Sequence, residues 1–230
     1  MPEGPVYIVT GASSGIGAAV TRTLVADGAS VLATARDQAR LDGLAREVDA
    51  AERLAVQVAD AGDWKDTCAA VDTCVERFGR IDGVVANAGY TLPGDMRTSD
   101  VALWPALVAT NLLGPAYLVR AALPQLRDSA GRVVIIGSVA GHKNSPGNLY
   151  SAAKWGVTGL AENLRMMLVD DGIGVSLVSP GVVDTAFYAN GPPATHLVAD
   201  DIARTVGHIL TQPAEVDLST VVIRPRRQVM

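Results

Sequence analysis

Short apolar runs alternate with amphipathic stretches along most of the chain. Runs rich in valine, isoleucine, leucine and alanine predict buried strands at residues 6–10, 30–34, 54–58, 81–86, 131–137, 175–179 and 216–223. Stretches with a helical spacing of apolar residues lie between them, at residues 18–26, 37–48, 63–78, 101–127, 149–169 and 200–210. Because strands and helices alternate, the pattern predicts an α/β fold, with a doubly wound parallel sheet and helices on both faces.

A glycine-rich turn joins the first predicted strand to the first predicted helix. Gly11 allows a sharp turn, while Gly15 and Gly17 keep Cβ atoms away from a ligand and from the neighbouring strand. The free N–H groups and the positive dipole end of the helix would then face an anion. This strand–turn–helix context favours a dinucleotide site in a Rossmann-type fold over a plain turn. We therefore predict cofactor contacts from Gly11, Ser13, Ser14, Gly15, Ile16 and Gly17.

Composition and charge narrow the class of protein. With 230 residues, 49% of them hydrophobic, the chain is predicted to form a single domain, residues 1–230, around a substantial core. The net charge of −5 argues against a nucleic-acid partner. We expect no membrane partner, because no apolar run is long enough to span a bilayer. A cytoplasmic location is also expected, because the first strand begins too early for a signal peptide.

The residues that most often bind metals are few and scattered. Cys68 and Cys74 fall on one predicted helix without metal or redox spacing, and we interpret them as reduced thiols. His142, His196 and His208 share no spacing typical of metal ligands. We therefore predict no metal site.

The residues at the end of the second predicted strand help to distinguish binding of NADP(H) from binding of NAD(H). In a dinucleotide fold an acidic residue there binds the ribose 2′-hydroxyl of NAD, whereas a nearby arginine accommodates the 2′-phosphate of NADP. Ala35 occupies the acidic position and Arg36 follows it, so NADP(H) is favoured over NAD(H). Two alternatives stay open. Arg36 could instead pair with Asp37 or solvent at the start of a surface helix, and in a different register Asp37 would lie nearer the ribose.

Four motifs, in this order along the chain, resemble the classical short-chain dehydrogenase/reductase family. The glycine turn at residues 11–17 is similar to the cofactor loop of that family, and Asn87-Ala88-Gly89 to its Asn-Ala-Gly motif, although Ala86 stands where a further Asn is usual. Residues 150–154 match its Tyr-x-x-x-Lys signature, and residues 180–185 its Pro-Gly-x-x-x-Thr motif. The resemblance extends over essentially the full chain.

This resemblance implies a catalytic tetrad of Asn111, Ser138, Tyr150 and Lys154. Tyr150 and Lys154 are four residues apart and share one helical face. Lys154 and the positive nicotinamide are expected to lower the phenol pKa from about 10, so that Tyr150 acts as general acid and base. Ser138 would hydrogen-bond the same substrate oxygen. Asn111 would hold a relay water at a helix bend, which Pro115 predicts because proline lacks an N–H group.

The resemblance also implies contacts to the rest of the cofactor. Asp60 would accept a hydrogen bond from the adenine amino group, although loop aspartates commonly cap turns instead. Backbone groups near Val183 would orient the nicotinamide amide, with Thr185 near the phosphates, and Lys154 would hold the ribose hydroxyls. Besides the glycine turn and Arg36, the implied contacts are Asp60, Asn87, Ala88, Gly89, Tyr150, Lys154, Pro180, Gly181, Val183 and Thr185.

The activity that the resemblance implies is that of an NADP(H)-dependent oxidoreductase, which interconverts an alcohol and a ketone or aldehyde by hydride transfer. A non-catalytic dinucleotide-binding sensor and a lyase or epimerase of related fold remain alternatives. The substrate is expected to be a small carbonyl or alcohol, and a 3-hydroxy acid or small ketone is suggested only by family likeness. Family members usually form homodimers or homotetramers through two long helices, which the alanine-rich helix at residues 152–168 would suit.

Three segments are expected to shape the pocket or its surroundings. Residues 186–197 are predicted to form a short substrate lid, in which Phe187 and Tyr188 are either substrate contacts or lid anchors. The spacing from Ser138 to Tyr150 is one residue shorter than is usual in the family, which we interpret as a trimmed loop at residues 142–147. The basic tail at residues 224–227 is expected to be solvated or packed on a neighbouring subunit.

Overall fold

The computed structural model describes residues 2–188 and 191–228. Within these residues, seven strands form one parallel sheet in the order β3-β2-β1-β4-β5-β6-β7. The strands are β1 Val6–Thr10, β2 Ser30–Ala35, β3 Leu54–Val58, β4 Gly83–Ala86, β5 Arg132–Ile136, β6 Gly174–Pro180 and β7 Thr220–Ile223. The strand order reverses between β1 and β4, and in such sheets a crevice opens at the carboxyl ends of the strands beside this point.

Helices cover both faces of the sheet. They are α1 Gly15–Ala26, α2 Gln38–Val48, α3 Trp64–Phe78, α4 Trp104–Val108, α5 Gly114–Ser129, α6 Leu149–Leu168 and α7 Ala199–Leu210. Buried residues of α1, α2 and α7 form one core layer with the sheet, and those of α3, α5 and α6 form the other. The predicted fold class, a Rossmann-type doubly wound sheet, is confirmed.

Neighbouring residues of each central strand point into opposite core layers. In β1, Tyr7 and Val9 belong to the layer with α1 and α7, whereas Val6 and Ile8 belong to the layer with α3 and α5. Because both faces are covered, every residue of β1 is buried. This burial explains why the strands read as continuous apolar runs in the sequence.

Two strands begin at least two residues later than the sequence pattern predicts. Ahead of β4, the Asp82 N–H donates to the Val6 carbonyl at 2.8 Å, while its carboxylate accepts the Val6 N–H at 2.8 Å and pairs with Arg80. Ahead of β7, the Val216 N–H donates to the Pro213 carbonyl at 3.0 Å, which closes a turn. After β5, the chain forms a short 3₁₀ helix, Val139–Gly141, ahead of the loop at residues 142–147.

The predicted kink near Pro115 takes a specific form. The stretch from α4 to α5 passes through a π-helical segment, Ala109–Leu113, before α5 begins at Gly114. Pro115 lies in the first turn of α5, where its missing N–H is tolerated. The irregularity therefore precedes the proline, as a wider turn that contains Asn111.

The same stretch corrects the expectation that no apolar run could span a bilayer. Val101–Ser129 is helical over 29 residues and, by length and composition alone, is long and apolar enough to do so. In the fold, Leu118, Ala122 and Leu126 of this stretch are buried against the sheet. Of its most apolar window, 33% is buried in the fold, so a core face accounts for part of the apolar composition.

Candidate active site

A cleft of about 1010 Å³ runs along the carboxyl edge of the sheet. It extends from the turns after β1, β2 and β3, across β4 and β5, to the segment that follows β6. Gly17 and Asn111 are predicted site residues that do not line it. Those that do are Gly11, Ser13, Ser14, Gly15, Ile16, Arg36, Asp60, Asn87, Ala88, Gly89, Ser138, Tyr150, Lys154, Pro180, Gly181, Val183 and Thr185.

The glycine turn folds tightly against the end of β4. Gly11 has a positive φ of 64°, and a Cβ added there would lie 2.8 Å from the Ala88 Cα. A Cβ on Gly17 would lie 2.3 Å from the Gly11 carbonyl oxygen, so Gly17 contacts the turn itself. Two glycines thus serve close backbone approach, and a cofactor contact from Gly17 stays a prediction.

The N-terminus of α1 is available to an anion. Ser14 precedes the helix in an extended conformation, and its side chain makes no capping hydrogen bond. The first turn of α1 holds no acidic side chain, so nothing within the helix offsets its positive dipole end. Ser13, Ser14 and Ile16 line the cleft at this point, where a phosphate would meet the N–H groups.

Asn87 fastens the end of β4 to the end of β1. Its side-chain amide donates to the carbonyl oxygens of Thr10 and Gly11, at 2.9 and 3.2 Å. In return, the Thr10 hydroxyl accepts hydrogen bonds from the Asn87 and Ala88 N–H groups, both at 3.1 Å. The switch point of the sheet is therefore closed by side chains as well as by strand pairing.

Arg36 faces the cleft after β2, with its guanidinium carbon 5.6 Å from the centre of the Tyr90 ring. Asp37 also lines the cleft, and its carboxylate caps α2 through the Arg40 N–H at 3.1 Å and pairs with the Arg40 side chain at 3.3 Å. This geometry disfavours the open alternative of an Arg36–Asp37 pair. Sequence reasoning missed Tyr90, although it directly follows Gly89 of the Asn-Ala-Gly motif.

Asp60 caps a turn and also faces the cleft, while its contact with adenine stays a prediction. One carboxylate oxygen accepts the Gly62 N–H at 2.8 Å, which is the turn-capping role. The residue also lines the cleft at the end of β3, and its other carboxylate oxygen has no hydrogen-bond partner within residues 2–188 and 191–228. Asp60 can therefore cap the turn and still accept a bond from a ligand.

Lys154 is a buried cation on the face of α6 that meets the end of β5. Its side chain is almost inaccessible, and Nζ donates to the Ile136 carbonyl oxygen at 2.8 Å. Nζ also lies 5.7 Å from the centre of the Tyr150 ring. Burial lowers the pKa of Lys154 to about 8, because a charged ammonium is disfavoured away from water.

Tyr150 departs from the predicted direction of its pKa. Burial raises the pKa of Tyr150 to about 12, and a hydrogen bond with Ser138 offsets only part of that increase. The prediction of a lowered pKa considered the positive charges of Lys154 and the nicotinamide. Within the protein itself, desolvation of the phenol has the larger effect on the pKa. Tyr150 is therefore a neutral phenol at neutral pH, which suits a proton donor. Ser138 is itself held in place, since its hydroxyl accepts the Ala140 N–H at 3.1 Å.

Asn111 lies behind the cleft and is fully buried in the π-helical segment. Its amide nitrogen donates to the carbonyl oxygens of Tyr90 and Leu107, at 2.9 and 3.0 Å. The side-chain oxygen has no partner among the described residues, and a Cβ on Gly89 would lie 2.7 Å from it. The side chain thus braces the segment that carries Tyr90, while the predicted relay water stays a prediction.

The segment after β6 is held from several directions. Leu197 donates its N–H to the Val182 carbonyl at 2.9 Å and accepts the Asp184 N–H at 2.8 Å. The Gly181 N–H donates to the Ile223 carbonyl at the end of β7, at 2.7 Å. The Val182 N–H donates to the side chain of Gln228, a cleft residue for which the sequence carried no signal.

Aromatic rings line the end of the cleft beyond Tyr150. Phe187 lies 5.3 Å from Tyr150 and 5.4 Å from Tyr188, measured between ring centres. Sequence reasoning missed Lys143 and Asn148, which line the same end. Ala189 and Asn190, in the middle of the predicted lid, lie outside the described residues.

The trimmed loop between Ser138 and Tyr150 is anchored to neighbouring elements. His142 and the buried Ser179 hydroxyl are 2.9 Å apart, which joins the loop to the end of β6. The Ser151 hydroxyl donates to the Ala140 carbonyl at 2.7 Å and joins the loop to α6. In the part of the chain that the structure describes, no cluster of three or more His, Cys, Asp or Glu side chains could hold a metal ion.

The chain is similar in sequence and in fold to several known proteins. A family model described as short chain dehydrogenase matches residues 5–194. An uncharacterized oxidoreductase of Staphylococcus saprophyticus is 34% identical over 226 residues, covering 96% of this chain and 97% of that protein. An alcohol dehydrogenase from Thermococcus sibiricus, complexed with 5-hydroxy-NADP, has a TM-score of 0.91 and 28% identity, covering 99% of both chains. A metagenomic short-chain oxidoreductase in complex with NADP has a TM-score of 0.85 and 34% identity, covering 97% and 98%.

Proposed function

Because the chain belongs to the short-chain dehydrogenase/reductase family of oxidoreductases, we propose that it interconverts an alcohol and a ketone or aldehyde, with NADP(H) as cofactor. The observation that carries this proposal is the convergence of Ser138, Tyr150 and Lys154 on the same cleft as the glycine turn. A hydride donor bound along the cleft would meet a phenol and a hydroxyl at one end. Those groups are what a carbonyl oxygen needs as it accepts hydride.

The residues present fit a dinucleotide. Gly11 and Gly15 have no side chains to fill the turn, and the uncapped start of α1 offers N–H groups to a pyrophosphate. Asp60 would bind the adenine amino group, Lys154 the ribose hydroxyls, and Val183 the nicotinamide amide through its backbone. When bound, the cofactor supplies or accepts the hydride.

The preference for NADP(H) over NAD(H) rests on Arg36. Its guanidinium faces the cleft beside Tyr90, whereas Asp37 is engaged with the start of α2 and with Arg40. The Arg36 guanidinium would pair with a 2′-phosphate, whereas the Asp37 carboxylate, which also lines the cleft, is already bonded to Arg40. Complexes of two similar proteins with NADP or 5-hydroxy-NADP support the same preference.

In the reducing direction, Tyr150 would donate its phenolic proton to the substrate oxygen. The pKa of about 12 keeps Tyr150 protonated across neutral pH, so the donor form is fully populated. Ser138 would hydrogen-bond the same oxygen and stabilise its developing charge. The Lys154 ammonium, held by the Ile136 carbonyl, would favour the phenolate that remains after the transfer.

The whole chain is proposed to act as one dinucleotide-binding and catalytic domain, in which residues 186–197 form the substrate lid. A homodimer or homotetramer in the cytoplasm, without a membrane or nucleic-acid partner, is also proposed. Exposed apolar side chains on α6, and one just ahead of α5, support self-association through this side of the molecule. These side chains are Leu113 just ahead of α5, and Trp155, Met166 and Met167 on α6.

The experiment that tests the proposal is a fluorescence titration of the purified protein with NADPH and NADH, followed by a panel of small carbonyl compounds. We expect tighter binding of NADPH and oxidation of one NADPH per carbonyl reduced. Binding without consumption of cofactor would favour a sensor, and turnover without net consumption a lyase or epimerase. Failure to bind either nucleotide would overturn the proposal.

A further inference from the structure

The C-terminal tail folds back onto the cleft of its own chain. After β7, the Gln228 N–H donates to the Pro225 carbonyl at 2.9 Å, which closes a turn around the buried Pro225. Arg226 and Arg227 point to solvent from this turn. The turn delivers Gln228 to the cleft, where its side-chain oxygen accepts the Val182 N–H at 3.0 Å.

Gly181 leaves room for this contact. A Cβ on Gly181 would lie 2.1 Å from the side-chain oxygen of Gln228, a separation that real atoms do not reach. Gly181 is not among the glycines with a positive φ, so backbone conformation does not demand a glycine here. The absence of a side chain at Gly181 therefore allows the close approach of the Gln228 amide, which a Cβ would force to move.

From these contacts we propose that Gln228 is a positioning residue, which sets the wall formed by residues 181–183 and thereby the affinity for the nicotinamide half of the cofactor. The proposal rests on the function proposed above. The wall is held on one side by Leu197 and on the other by Ile223, both through backbone bonds. Among residues 2–188 and 191–228, Gln228 makes the one side-chain hydrogen bond to this wall, and it comes from a segment distant in sequence.

The first test compares two ligands on the full-length protein carrying Gln228→Ala. Adenosine 2′,5′-bisphosphate occupies only the adenosine half of the site, whereas NADP⁺ also reaches residues 181–183. We expect NADP⁺ to bind roughly fivefold more weakly, the effect of losing one hydrogen bond, while the bisphosphate binds as in the wild type. Arg227→Ala, at the exposed neighbouring position, is the matched control and should leave both affinities unchanged.

The outcomes separate this proposal from the function on which it rests. Wild-type protein that binds neither ligand would overturn the proposed function and this inference together. Wild-type protein that binds both, with Gln228→Ala unchanged toward NADP⁺, would overturn the inference alone. Equal losses for the two ligands would also overturn it, because they would indicate a general structural effect.

A double-mutant cycle tests the pairing of Gly181 with Gln228. Gly181→Ala should displace the Gln228 side chain and weaken NADP⁺ binding, but it should cost little more in a Gln228→Ala background. Additive losses would overturn the pairing. Gln228→Glu keeps an acceptor of the same length, so the Val182 amide should stay protected from hydrogen exchange in this variant and lose protection in Gln228→Ala. Equal exchange in the two variants would count against the bond.

Discussion

Backbone atoms form the surface at one end of the cleft, and side chains form it at the other. Around the turn between β1 and α1, the surface is backbone, and Gly11 and Gly17 are packed against other main-chain atoms. Around Tyr150, the surface consists of side chains from separate segments, including Lys143 and Phe187. The first end must keep one shape to receive a phosphate that all dinucleotides share, whereas the second can change side chains without altering the sheet.

The largest expected effect lies at the side-chain end. Tyr150→Phe removes the proton donor and keeps the ring, so turnover should fall by about 10²- to 10⁴-fold with nearly unchanged NADPH affinity. Steady-state kinetics and a fluorescence titration measure the two quantities. Tyr117→Phe is the matched control, because Tyr117 packs on Trp64 outside the cleft. Turnover retained by Tyr150→Phe would remove Tyr150 from the mechanism.

The backbone end should respond in stability rather than in chemistry. Gly17→Ala forces a Cβ to within 2.3 Å of the Gly11 carbonyl and 2.5 Å of the Asn87 amide nitrogen. We expect a loss of about 3 kcal/mol in the free energy of unfolding, measured by urea denaturation, together with weaker NADPH binding. Gly43→Ala, in α2 with open space around it, is the control and should be neutral or slightly stabilising. A Gly17→Ala protein as stable as the wild type would contradict the close packing of this turn.

Arg36 is a side chain at the end of the cleft that also contains the glycine turn. Arg36→Leu should weaken NADPH binding by roughly tenfold to a hundredfold, the value of a charged hydrogen bond, and should leave NADH binding nearly unchanged. Parallel titrations with the two cofactors measure the difference. Arg46→Leu, at the exposed far end of α2, serves as the control. Equal losses for NADPH and NADH would mean that another group reads the 2′-phosphate.

The smallest effect is a dependence of stability on pH. The folded protein releases the Lys154 proton near pH 8, whereas an unfolded lysine releases it near 10.5. Between these values the unfolded chain binds more protons, so this residue makes stability rise with pH. Relative to Lys154→Met, the wild type should gain about 1 kcal/mol between pH 7.5 and 9, measured by urea denaturation. Taking the difference between the two proteins cancels the contributions of other titrating groups. A difference that does not change with pH would mean that folding does not lower the pKa of Lys154.

Much of the backbone end could be predicted from the sequence, because it depends on local patterns. The β-branched runs, the glycine turn and the motif Asn87-Ala88-Gly89 are contiguous, and their meaning depends on adjacent residues. The strand order then brings them to one edge of the sheet. The fold class was predictable for the same reason, since alternation of strands and helices leaves few topologies.

The rest depends on contacts between distant segments. The bond from Gln228 to Val182 spans 46 residues, and that from Asn111 to Tyr90 spans 21. Neither pair has a local pattern that would reveal it. The direction of the Tyr150 pKa also escaped prediction, because desolvation depends on how many neighbours surround the phenol in the fold.

The π-helical segment Ala109–Leu113 fixes an angle as well as a bend. A π turn holds one residue more than an α-helical turn needs, so it acts as a single-residue insertion within the helix. Removing one residue there would let regular bonding continue, and would rotate α4 by about 100° relative to α5. Leu107 and Asn111 would then meet different neighbours, and the carbonyl of Tyr90 would lose its donor. The number of residues in this segment thus sets which face of α4 is turned toward the cleft.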